Sequence, residues 1–141
     1  MVREVASSRG RWRAAVEVLL AGWVLCALYA SAASSIGPGA LLRLPYWLTA
    51  LGDVGVGVIL ALLVVDLRRV LIAAALAAGA AAVFYWLLLA APALVAPDFA
   101  ARLTNHASIQ MVPVFFLSLF LALIGALVGT LVNTAARGYE L

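Results

Sequence analysis

Long apolar runs separated by short polar breaks account for nearly the whole chain. They cover about residues 14–36, 45–65, 70–95 and 110–135. A helix rises about 1.5 Å per residue and the hydrocarbon core of a bilayer is about 30 Å thick, so about 20 apolar residues are enough to cross it. In lipid every backbone N–H and C=O must be paired within the segment, which makes such runs helices. They are too continuous for barrel strands, which alternate apolar and polar positions. The expected fold is therefore all-α: an integral membrane bundle of four transmembrane helices running up-down-up-down, one domain over residues 1–141.

The breaks carry the residues that end helices. Gly37, Pro38 and Gly39 close the first run, and Asp66 to Arg69 form a tight polar turn between the second and third. Residues 1–13 read as a short basic tail, and 96–109 as an outer loop. Within that loop Pro97 suits a first helical position and Asp98 its first turn. Two readings stay open there: an irregular loop, or a short surface helix with Phe99, Leu103 and Ala107 toward the membrane. The stretch Ala30-Ser31-Ala32 after a basic start also resembles a signal-peptide cleavage site, but the apolar run continues past it.

Composition agrees with lipid as the main solvent. Of the 141 residues 67% are hydrophobic and 11% charged, against about 45–50% and about 25% in a soluble domain. The formal charge is +3, and all nine basic residues are arginine. Four spans put both tails and the second turn on one side, with Arg3, Arg9, Arg11, Arg13, Arg68, Arg69 and Arg137; only Arg43 and Arg102 fall on the other. That bias places both termini in the cytoplasm and the chain in the plasma or inner membrane. Arg11, Trp12, Arg13, Arg68 and Arg69 are its interface anchors, and Tyr46 and Trp47 belong to a headgroup belt. Position explains the arginines, and no basic face interleaved with aromatics lies outside the spans, so nucleic acid is not an expected partner.

Asp53 is the candidate centre of any chemistry. It falls about eight residues into the second span, about 12 Å deep. Ionisable groups at such depth are rare, face the bundle interior and mark function by default. At 100° per residue Tyr46, Thr49, Asp53, Gly57, Leu60 and Val64 share a face. Depth counting puts Tyr29, Tyr85 and Ser118 in the same layer, and one of these hydroxyls is expected to bond the carboxyl. Gly52, Gly55 and Gly57 flank Asp53 inside an apolar span, where they admit a neighbouring helix rather than cradle a phosphate. In the fourth span Ser118, Ala122, Gly125, Gly129 and Asn133 form one small or polar stripe, with Gly125 and Gly129 in a GxxxG pattern. Such a stripe marks a helix contact within the chain or with another.

Little else points to catalysis. Cys26 has no disulfide partner. His106, with neither cysteines nor clustered carboxylates, makes no zinc site. Glu17 reads as an anchor one turn after Arg13. No motif identifies a cofactor or marks an enzyme. The expected role is a non-enzymatic subunit or accessory protein, packing through its small-residue faces in a homo-oligomer or larger membrane complex. The alternative is a small transporter or channel subunit with Asp53 as an intramembrane proton or cation site.

Overall fold

The computed structural model of the chain describes residues 2–33, 45–64 and 66–138. The first hairpin loop, with Gly37 to Gly39 and Arg43, lies outside the described residues, as do the side chains of Arg3, Arg9, Arg11 and Arg137. Four helices make up the structure: α1 (Val2–Ala33), α2 (Tyr46–Leu63), α3 (Leu67–Ala90) and α4 (Ala100–Gly138). Two 3-10 turns, Ala91–Leu94 and Pro97–Phe99, join α3 to α4. All four helices are long and apolar enough to cross a membrane, and no strand occurs among the described residues.

Two stretches differ from the sequence expectation. The basic tail is helical from Val2 and continuous with the first span. The stretch expected as an outer loop is instead largely the start of α4, which runs unbroken for 39 residues from Ala100, about 58 Å. Hydropathy ends where polar residues begin, but nothing from Ala100 to Met111 stops a helix. Thr104 Oγ1 and Ser108 Oγ bond back to carbonyls of their own turn, at 2.9 Å to Ala100 and 2.8 Å to Thr104. Trp86 Nε1 on α3 donates to Ser108 Oγ at 3.1 Å and ties this extension to the bundle. Ala107 is fully buried rather than turned to lipid. Pro113 lies inside α4, a position that membrane helices tolerate.

Asp66 shows why the second break is so short. Its Oδ1 accepts from the Arg68 backbone N–H at 3.0 Å, which caps α3, and Oδ2 lies 3.5 Å from Arg69 Nε. The cap satisfies a donor that the first turn leaves without a partner. Asp66→Ala is expected to cost about 1 kcal/mol and Asp66→Asn only a few tenths, read from thermal unfolding in lipid nanodiscs.

Consecutive helices alternate in direction, yet the main contacts are not between sequence neighbours. α4 packs most extensively against α3 and α2, and α1 packs against α3. α1 touches α2, and α2 touches α3, only lightly. The ring therefore runs α1–α3–α4–α2, with two parallel pairs in it. Small residues make the parallel contacts close. A Cβ on Gly57 would overlap the Ala122 carbonyl of α4, and one on Gly125 the Val54 carbonyl of α2. On the other pair a Cβ on Gly22 would come within 2.6 Å of the Ala80 Cβ. With no hydrophobic force between helices already in lipid, such backbone approach is what holds them. The core it encloses centres on Leu25, Val56, Leu60, Ala74, Ala77, Ala81 and Ala122.

Candidate functional site

The polar site forms where α1 and α2 meet. Asp53 is midway along α2 and has no solvent-accessible surface. Tyr29, four residues before the end of α1, donates from its hydroxyl to Asp53 Oδ2 at 2.8 Å. Ser118 of α4 is also fully buried. Thr49, one helical turn from Asp53, is buried on the same face.

The hydroxyls behave unusually. Among the described helical residues, Ser31, Thr104, Ser108, Thr130 and Thr134 all bond back to carbonyls of their own helix. That is the ordinary way to satisfy a hydroxyl inside a membrane helix. Thr49 and Ser118 do not: Oγ1 of Thr49, Oγ of Ser118 and Oδ1 of Asp53 are buried without a hydrogen-bond partner. Among the described residues no cation pairs with the carboxyl. The ion pairs Arg13–Glu17 at 2.8 Å and Arg69–Asp66 at 3.5 Å join near neighbours in sequence at the arginine-bearing end. The site thus joins one carboxyl, its donor Tyr29, and the buried hydroxyls of Thr49 on the same face and Ser118 on α4; among the described residues no second donor to the carboxyl occurs.

The other sequence candidates divide. Tyr85 is buried but sits with Cys26, Tyr29 and Val114 in an apolar cluster and makes no hydrogen bond to Asp53. Tyr46 does not join the buried face of α2; it is 77% exposed. Gly57, Ala122, Gly125 and Gly129 line the α2–α4 contact, whereas Asn133 is half-buried beyond it. Gly52 faces the flexible end of the Leu28 side chain, and Gly55 faces open space, with no helix among the described residues packed on it. Trp12, Arg13, Arg68 and Arg69 are exposed at the arginine-bearing end. Among the described residues no three His, Cys, Asp or Glu side chains converge as a metal site. Thr49 is expected from the sequence only as part of the Asp53 face, four residues away, and the structure makes it one of the buried site oxygens.

The chain matches no known protein family, no curated protein and no solved structure. Its site must therefore be read from its own chemistry. Buried carboxyl and hydroxyl oxygens, with neither thiol nor imidazole converging on them, suit a proton or a small hard cation.

Proposed function

We propose that this small polytopic membrane protein is a non-enzymatic subunit of a transport or channel assembly, with Asp53 as its proton- or cation-binding centre. The single observation that carries the reading is the fully buried Asp53 carboxyl, held by Tyr29 and accompanied by the buried, unbonded hydroxyls of Thr49 and Ser118. A buried carboxyl without a cationic partner is neutralised by a proton or by a bound ion. The subunit part rests on enclosure. Asp53 is fully covered, so exchange needs a moving helix or a further surface. The thin α1–α2 seam is the place for either. On this reading the arginine-bearing end, with both termini, faces the cytoplasm.

A second reading has its own support. Tyr29 and Asp53 bond across the seam where α1 and α2 barely touch, so the pair serves equally as a structural clamp. The stripe on α4 lies against α2 within the chain, which leaves an accessory or oligomeric role to other surfaces. Infrared difference spectra of the reconstituted protein separate the two. A centre that exchanges protons or cations shows a carboxyl band that responds to bulk pH or to sodium and is lost in Asp53→Asn. A carboxyl band indifferent to both would leave only the clamp.

A further inference from the structure

We propose that the groove between α1 and α3 is a binding site for one anionic phospholipid of the arginine-side leaflet. The groove has a volume of about 640 Å³ and is lined by Ala15, Val18 and Leu19 of α1 and Ile72, Leu76 and Ala80 of α3, with Arg69 at its mouth. That size lies within the range of about 300–1,000 Å³ typical of small-molecule sites.

Its length is that of one leaflet. From Arg69 to Ala80 is eleven residues, about 16 Å along the helix, against about 15 Å for half of the hydrocarbon core. The far end is closed by the tight crossing of Gly22 on Ala80 and Ala77. An acyl chain therefore enters beside Arg69 and stops at the bundle's middle, and does not run through.

The charge at the mouth selects the headgroup. The Arg69 side chain is 80% exposed and held only loosely by Asp66, at 3.5 Å. It keeps donors free for a phosphate. Arg68 beside it is exposed as well, and its side chain makes neither of the two ion pairs among the described residues. Arg13 on α1 is not among the residues that line the groove and is held by Glu17 at 2.8 Å. Basic groups where transmembrane helices meet the headgroups are a recurrent setting for anionic lipid. By contrast, the apolar groove on the α1–α2 side, near Leu20, Val24 and Ile59, has at its edge only Glu17, already paired with Arg13, and no arginine lines it.

Native mass spectrometry of the detergent-solubilised chain, incubated with equimolar phosphatidylglycerol and phosphatidylcholine of identical chains, tests this. One phosphatidylglycerol is expected to be retained in clear preference. Arg69→Gln should lower that preference about fivefold, the weight of one arginine at a membrane surface, and Arg69→Lys should restore most of it. Arg102→Gln, at the opposite end, should leave it unchanged. Ala73→Phe, which puts a ring into the groove, should lower retention of both lipids while thermal unfolding shows the bundle intact. Equal retention of the two lipids by the wild type would overturn the site, and so would an Arg69→Gln preference matching the wild type or the Arg102→Gln variant.

Discussion

Gly125→Ala and Gly57→Ala are expected to be the most damaging single-methyl changes in the chain. Each places a carbon on a backbone carbonyl of the facing helix, Val54 for one and Ala122 for the other. A side chain in the way can rotate; a carbonyl inside a helix cannot, so α2 and α4 must separate along their shared length. Overpacking costs typically about 1–3 kcal/mol where side chains can give, and the upper end or beyond is expected here. Gly129→Ala should fall lower in that range because the overlap is smaller, with the Ala61 Cβ at 2.7 Å and the Val58 carbonyl oxygen at 2.9 Å, although neither can rotate away. Gly55→Ala and Gly79→Ala are the controls. Nothing lies within 4 Å of a Cβ at either position, and alanine is the better helix former by about 1 kcal/mol. Thermal unfolding in nanodiscs, followed by tryptophan fluorescence, should thus order the variants with Gly125 and Gly57 well below wild type and Gly55 and Gly79 at or above it. If all four alanines behave alike, α2 and α4 do not touch through their backbones.

The second large effect is on ion exchange. Asp53→Asn is expected to reduce proton or sodium flux to that of empty vesicles when the chain is reconstituted with the proteins that co-purify with it. The fold should persist, because the asparagine oxygen still accepts from Tyr29. Tyr29→Phe removes the donor and leaves Asp53 Oδ2 buried without one. Hydrogen bonds between membrane helices are commonly worth about 0.6 kcal/mol and seldom above about 1.7. A double-mutant cycle over Tyr29 and Asp53 should give a coupling in that range. Loss of flux without matching loss of stability identifies an exchange site. The reverse, a destabilised bundle carrying wild-type flux, identifies a clamp and removes the transport reading.

Much of this was legible from residue order. The four apolar runs mark four helices, and the 3.6-residue period of α2 puts Thr49, Asp53, Gly57 and Leu60 on one buried face. Depth counting brought Tyr29 and Ser118 to the level of Asp53, and Tyr29 is the hydroxyl that reaches it. The same counting placed Tyr85 there too. Tyr85 does reach that level, packing in one cluster with Tyr29, Cys26 and Val114, but it makes no bond to Asp53, because depth says nothing about rotation.

Sequence alone determined that the chain is a set of lipid-embedded helices, where those helices cross, and which faces are smooth enough to meet another. These are properties of one segment and its solvent, and hydropathy and period report them. Tertiary structure decided the rest. It chose α3 rather than α2 as the main partner of α1, and turned the Gly125 stripe inward onto α2. It left Gly55 open and carried α4 through the polar stretch from Ala100. Lipid solvates every apolar face about equally well, so in a membrane only the mutual fit of whole helix surfaces selects the neighbours, and no single segment contains that information.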